Sequence, residues 1–278
     1  MTKLIVFTDL HMLPEGGRII GLDPYARLLN GVHHVNQMHP DATRVICTGD
    51  LTHRGDATSY RRLREVLCQL QVPYSLLLGN HDHRSNFRDI FPELPVDSAG
   101  FVQQVIDLPL GRLILLDTLH EPPHEFPYAS GYLCERRLAW LAAQLSAAGN
   151  RPTYIFMHHP PHAVGFPGMD EIRLVNEDAF YDLVMRHGNV RHIFAGHIHR
   201  TISGSSRGIP FSIFKSPVHQ QPMLLDVVDC SLSVDEPAAY GIILLRDNGV
   251  LVHTEDYEIA AASRLGNDVA EASTGMET

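Results

Sequence analysis

The chain lacks most of the features that assign a protein by composition. Its four cysteines, Cys47, Cys68, Cys134 and Cys230, make no Cys-x-x-Cys pair and no zinc-knuckle spacing. Neither a disulfide scaffold nor a structural zinc module is encoded in that way. Thiols scattered like this suit a reducing compartment, so a cytoplasmic location is expected. Met1-Thr2-Lys3 runs straight into Leu4-Ile5-Val6-Phe7 with no Ala-x-Ala cleavage site behind it, which reads as no secretory signal. No apolar run reaches the roughly 20 residues of a bilayer-spanning helix, so no membrane partner is expected. Positive charge is scarce too: 22 Lys and Arg stand against 32 Asp and Glu, a formal net charge of -10. A protein that holds bulk nucleic acid wants the opposite balance, whereas a small anionic substrate is compatible with it if bound cations reverse the local field.

What is abundant is histidine, 18 of 278 residues, set in a chain that is 44% apolar and 19% charged. That is an ordinary globular composition at a length sufficient for one large core. Short apolar runs alternate with helical patterns. Strands are expected at 3–8, 43–48, 72–78, 153–157 and 190–194, and as hairpins at 101–107 with 112–117, 201–206 with 210–215, and 240–246 with 250–257 across the Asn248-Gly249 turn. Helices are expected over 25–38, 56–70, 134–147 and near 175–187, the first with Leu28, Leu29, Val32 and Val35 on one side. Apolar strands flanked by helices are strands buried on both faces. The pattern predicts an α/β fold, a four-layer α/β/β/α sandwich of two mixed sheets flanked by helices, with the late hairpins in a second, more antiparallel sheet. Residues 1–215 form the main domain. Residues 216–259 are expected to complete the second sheet and supply a small C-terminal cap and dimerisation region. Residues 260–278, rich in Ala, Ser, Gly, Asp and Glu, read as a flexible tail or an arm that docks on a partner subunit.

Five segments share one design, in which an apolar strand ends and metal-capable side chains begin at once. They are Asp9-x-His11, Gly49-Asp50, Gly79-Asn80-His81-Asp82, His158-His159 and Gly196-His197-Ile198-His199. Each alone is weak evidence: a turn, a surface pair, one side of an exposed strand. Together they fall at the same topological place, the carboxyl ends of strands, where open α/β sheets bind ligands. Burying five polar clusters with no cationic partner would be costly, so a metal centre is the reading that accounts for all of them. His, Asp and Asn suit Fe, Mn, Zn and Co alike. Glycine before three of the segments fits a backbone that must pass close to the centre.

The set Asp-x-His, Gly-Asp, Gly-Asn-His-Asp, His and Gly-His-x-His resembles the calcineurin-like metallophosphoesterase superfamily over about residues 3–215. Within it the chain resembles the class III cyclic nucleotide phosphodiesterase group, and the bacterial glycerophosphodiesterases of that group in particular. Phe156-Met157-His158-His159-Pro160-Pro161 and Val218-His219-Gln220 contribute to the closer likeness. The resemblance implies two metal ions, with Mn or Fe the preferred pair. Asp9, His11 and His199 would hold the first, Asn80, His158 and His197 the second, and Asp50 would bridge both. The first site, with its additional carboxylate, is expected to bind tightly and the second, with a neutral amide, to be exchangeable. His81 would stand beside the metals, contact a phosphoryl oxygen and protonate the leaving group. Asp82 would either orient a histidine ring or cap the helix that starts near His83, and His219 would line the substrate pocket. His159 reads as structural. A regular strand would point His197 and His199 the same way, so the resemblance requires a turn there.

The implied activity is hydrolysis of small phosphodiesters, glycerophosphodiesters or cyclic nucleotides, by attack of a metal-activated hydroxide. Three alternatives share the residues: a phosphomonoesterase or protein phosphatase, a nuclease, and a non-catalytic metal-binding protein. The loops 12–24, 118–132 and 162–174 are expected to rim the pocket with Arg18, Tyr25, His120, Tyr128, Phe166 and Met169. Relatives of this kind assemble, so a homodimer or higher homo-oligomer is expected, through the apolar run 222–228 and the Tyr240–Leu245 strand.

Overall fold

The computed structural model describes residues 1–123 and 125–259; the segment 260–278, read above as a tail, lies outside the described residues. In chain order the elements are β1 (Thr2–Phe7), α1 (Pro24–Met38), β2 (Arg44–Cys47), α2 (Ala57–Leu67), β3 (Tyr74–Leu76), α3 (Arg84–Ile90), β4 (Gln104–Leu108), β5 (Gly111–Leu115), α4 (Glu135–Ala148), β6 (Thr153–Phe156), α5 (Pro167–Asp170), α6 (Glu177–His187), β7 (Val190–Ala195), β8 (Ile202–Ser206), β9 (Ile209–Ile213), β10 (Ala239–Arg246) and β11 (Gly249–Asp256).

They form two mixed sheets, one in the order β11-β10-β1-β2-β3, the other β4-β5-β6-β7-β9-β8. The period-2 alternation of the strands explains the layering. In β1, Ile5 and Phe7 face outward and pack with Leu28, Val32 and Val35 of α1 and with Tyr60, Leu63 and Val66 of α2. Leu4 and Val6 face the other way and join Leu113, Leu115, Phe156, Phe194 and Leu245 between the sheets. A third cluster packs Ile114 and Ile155 against Leu141 and Leu145 of α4 and Phe180 and Val184 of α6. The three apolar layers make the four-layer sandwich, helices outside and sheets within.

One expectation is corrected. The hairpin of β10 and β11 extends the sheet of β1, with Ile5 opposite Ile242, and does not complete the sheet that holds β8 and β9. Both faces of β10 are needed there, because Tyr240 packs toward α1 while Ile243 and Leu245 pack between the sheets. Tyr240–Leu245 therefore lies inside a sheet, between β1 and β11, and offers no surface to a partner.

α1 starts because Asp23 accepts from Tyr25 and Ala26 backbone N–H groups and Pro24 supplies a fixed φ at the first position. It stops at His39. A buried charge network ties the two halves together. The Asp117 carboxylate takes a two-pronged bond from Arg84, Nε at 2.8 Å and Nη2 at 2.7 Å, and also the N–H groups of Val102 and Leu119. Arg137 lies 3.7 Å away. Burial works against the charged carboxyl, but Arg84 and Arg137 outweigh it and hold Asp117 below the usual carboxylate range. Asp117→Ala should cost about 3–5 kcal/mol, because it removes the carboxylate that the buried Arg137 faces and leaves Arg84 with Glu121 alone. Urea denaturation read by circular dichroism checks this; a midpoint within error of the parent chain would refute it.

Candidate metal centre

The carboxyl ends of β1, β2, β3, β6 and β7 bring the five segments to one place between the sheets. The loops that leave these strands turn sharply. Asp9, His11, Asp50, His197 and His199 all have positive φ, between 42° and 73°. For residues other than glycine that conformation is uncommon and costs on the order of 1–3 kcal/mol each. It is maintained because the neighbours fix it: the Asp9 N–H bonds to Gly49 O at 3.0 Å, His11 N–H to Asp50 O at 2.9 Å, and His197 N–H to both Asp9 carboxylate oxygens at 3.1 Å. The same turns resolve the difficulty of Gly196-His197-Ile198-His199. The His197 ring packs by His158 at 5.1 Å between centroids, and the His199 ring by His11 at 4.9 Å. The glycines do what close approach demands. A Cβ on Gly49 would stand 2.6 Å from His158 Nδ1, and one on Gly79 would collide with the Asp50 carboxylate.

Ring nitrogens and carboxylates converge. His11 Nε2 lies 3.1 Å from His199 Nε2 and 3.7 Å from Asp50 Oδ2. His199 Nε2 is 3.3 Å from Asp9 Oδ1. Asp9, His11, Asp50 and His199 thus point one potential ligand atom each into a common space, all within 4.8 Å of one another. On the other side of Asp50, His158 Nε2 lies 3.4 Å from Asp50 Oδ2 and 3.2 Å from Asn80 Oδ1. His197 keeps Nε2 buried and without a hydrogen-bond partner. A buried, unpaired imidazole nitrogen next to the His158 ring is what a cation would satisfy. The residues present therefore fit a pair of divalent ions on either side of Asp50.

Electrostatics agree. Burial raises the Asp50 carboxyl, but His158, His81 and His11 outweigh it and hold it well below its usual range. Asp9 is lowered likewise, burial being overcome by His199 and His158. Burial disfavours the charged form of His158, yet Asp50 and Asp9 push that ring up to about 9. His197, buried and next to His158, falls to about 3.

The remaining site residues separate by their partners. His159, close by, has both ring nitrogens engaged, Nδ1 with Thr118 Oγ1 at 2.7 Å and Nε2 with Ala129 O at 3.1 Å, which leaves none for an ion. His81 donates its backbone N–H to Asp50 Oδ1 and its Nδ1–H to His53 O, both at 2.9 Å. The His219 ring lines the cleft, and its backbone carbonyl accepts from His199 Nδ1 at 2.8 Å. Asp82 does neither of the two things expected of it. Among the described residues its carboxylate bonds to no histidine ring, and the N-cap of α3 is His83. Its carboxylate accepts from the N–H groups of Leu51, Thr52 and Gly79 and from Tyr60 OH, so it clamps the Asp50 loop to the Asn80 loop. Burial and Asp50 raise it to about 6.

The cleft in front of the centre has a volume of about 430 Å³. Ile19, Ile20, Ala129 and Met169 of the three expected loops rim it. Phe166 is instead buried in the core, and Tyr25 packs under Arg62 at 4.6 Å. Not foreseen were His53, Gln221 and the segment Cys230 to Ser233. None of them stands at a strand end, the signal that marks the five metal-capable segments.

A two-sheet sandwich with a His, Asp and Asn centre built for two divalent ions defines a metal-dependent phosphoric diester hydrolase. A family model for calcineurin-like phosphoesterases matches residues 2–201, and the chain belongs to that family. It is 41% identical, over 90% of its own length and 91% of the other's, to a protein of Rhodopseudomonas palustris named as a probable cyclic nucleotide phosphodiesterase. It is 32% identical to the glycerophosphodiester phosphodiesterase GpdQ of Enterobacter lignolyticus, over 77% of each chain. Among solved structures, a dimetal phosphatase from Danio rerio superposes with a TM-score of 0.71 over 91% of this chain and 95% of that one, at 16% identity. That likeness extends to the fold alone.

Proposed function

We propose that the chain hydrolyses small phosphodiesters, cyclic nucleotides or glycerophosphodiesters, with Asp9, His11 and His199 holding one ion, Asn80, His158 and His197 the other, and Asp50 between them. The observation that carries the reading is the convergence of both groups on Asp50 at the floor of a cleft of about 430 Å³, with His81 beside it. When bound, two such ions supply a hydroxide near neutral pH and a clamp on the phosphoryl oxygens. The chain's own part is positional. Asp82 holds the two loops in register, His81 faces the cleft, and Ile19, Ile20 and Met169 give it an apolar rim for the organic part of a diester. A net charge of -10 supports a small substrate over a polynucleotide. The test is a product-resolved screen of cyclic nucleotides, glycerophosphodiesters, a nitrophenyl monoester and single-stranded DNA, run with elemental analysis of protein purified without chelators. Turnover of the monoester or the DNA alone would overturn the reading.

The assignment has a consequence for pH. A ligating imidazole must be neutral, whereas His158 titrates at about 9 in the metal-free chain. At pH 7 it carries a proton that ion binding must expel. Loading at pH 7 should therefore release at least about one proton per chain, and apparent affinity at this position should rise about tenfold per pH unit from 7 toward 9 and then level off. Calorimetry in buffers of different ionisation enthalpy reads the proton count; a count of zero at pH 7 contradicts the assignment.

The reading includes a cytoplasmic location and a homo-oligomer. Among the described residues no helix is long and apolar enough to cross a membrane. Met223, Leu224, Leu225 and Val228 are 43% to 60% exposed, a run of apolar side chains that association would cover. Sedimentation should give a species larger than 31.0 kDa at micromolar concentration; a 31.0 kDa species alone would exclude it.

A further inference from the structure

Histidines that turn Nε2 toward Asp9 and Asp50 brace their rings through Nδ1. For His158 the brace is the Thr48 carbonyl at 3.0 Å, and for His199 it is the His219 carbonyl at 2.8 Å. A carbonyl only accepts, so both rings keep a hydrogen on Nδ1, and Nε2 is the nitrogen that meets an ion once any proton on it is expelled. His11 is braced differently. Its Nδ1 lies 3.2 Å from Nδ1 of His53, a side chain that can accept or donate. His11 Nε2 points at His199 Nε2 and Asp50 Oδ2, and with an ion on that nitrogen the ring carries its proton on Nδ1. His53 must then accept there and keep its own proton on Nε2.

The surroundings hold His53 in that pose. Its backbone N–H bonds to Met12 O at 3.0 Å, its carbonyl takes the His81 Nδ1–H, and its ring stacks on His81 at 5.1 Å with 20° between planes. Met12 and Thr52, on either side of the contact, pair as a parallel bridge, so the two loops carry the two histidines as one unit.

We propose that His53 is a positioning residue for the ion held by His11: it accepts the His11 Nδ1–H, which fixes the tautomer and plane of that ligand. This rests on the two-ion reading but not on the identity of the substrate. His53→Leu keeps bulk and removes the acceptor. His53→Asn places a carboxamide oxygen near the position of Nδ1 and keeps one. In competition with a chelator, using Zn²⁺ as probe, His53→Leu should weaken the tighter ion by about 10- to 100-fold, the usual effect of losing the group behind a metal-bound histidine. His53→Asn should stay within a few-fold of the parent chain, and the melting temperature of the metal-free protein should be the same in all three. If the residue acts by packing, leucine will be the better replacement and the proposal is overturned; equal losses in both variants, or none in His53→Leu, overturn it as well. A second measurement needs no variant to fold. Two-bond ¹H–¹⁵N spectra of the Zn²⁺-loaded parent chain report which nitrogen of His11 carries hydrogen, and a proton on Nε2 would refute the proposal. Retention of both ions by Asp50→Ala would instead signal failure of the two-ion reading itself.

Discussion

Asp50→Ala is expected to strip the protein of both ions, while Asn80→Ala strips it of one. Asp50 is the carboxylate that faces both groups, with Oδ2 at 3.7 Å from His11 Nε2 and 3.4 Å from His158 Nε2. Its Oδ1 also accepts the His81 N–H, so the substitution loosens the turn that carries Asn80 and His81. Asn80 meets only the His158 side, through one neutral oxygen at 3.2 Å, and its loss leaves Asp9, His11, Asp50 and His199 in place. Diester hydrolysis by Asp50→Ala should fall by at least about 10³-fold, the upper end for loss of a single preorganised electrostatic contact, since here a whole centre is removed. Asn80→Ala should regain activity at high metal concentration, because mass action refills a weakened site. Elemental analysis after gel filtration, with rates measured across a metal titration, checks both. Equal metal content in the two variants would refute the bridging role.

How much of this was legible in the sequence depends on the kind of signal. The ends of β1, β2, β3, β6 and β7 were readable because each buried strand is a short apolar run that stops abruptly at polar residues, and strands covered on both faces leave that mark. The layer order followed from the same runs. The partner of β10 did not, because Tyr240-Gly241-Ile242-Ile243 would satisfy either sheet and the choice is made by Phe7 and the inter-sheet layer, far away in sequence. The role of Asp82 was hidden for a similar reason: its five bonds go to Leu51, Thr52, Gly79 and Tyr60, and three of those four residues lie more than 20 positions away. Residues that act by holding other residues leave no periodicity. His53 and Asp117 belong to that class, one behind a ligand and the other beneath the fold.

His81→Ala should leave both ions bound and slow the hydrolysis of alkyl diesters by roughly 10²- to 10⁴-fold, the scale of lost acid–base assistance. The ring faces the cleft and its centroid lies 4.8 Å from that of His11. Its Nδ1–H is committed to the His53 carbonyl, so Nε2 is the atom left for the substrate. In the neutral ring that nitrogen carries no hydrogen; it donates only when the ring is an imidazolium. Two roles then make different demands. As a general acid, the imidazolium gives its Nε2 proton to the departing oxygen, which matters for an alkoxide and hardly for a nitrophenolate. As a clamp, it holds a phosphoryl oxygen in both reactions and speeds them by similar factors. The acid role therefore predicts a large loss for an alkyl diester and a small one for the matched nitrophenyl diester. Measuring kcat/KM for both substrates, beside metal content, separates the cases. A drop in metal content makes His81 a ligand; equal losses on the two substrates leave only the clamp; unchanged rates on both remove His81 from the reaction.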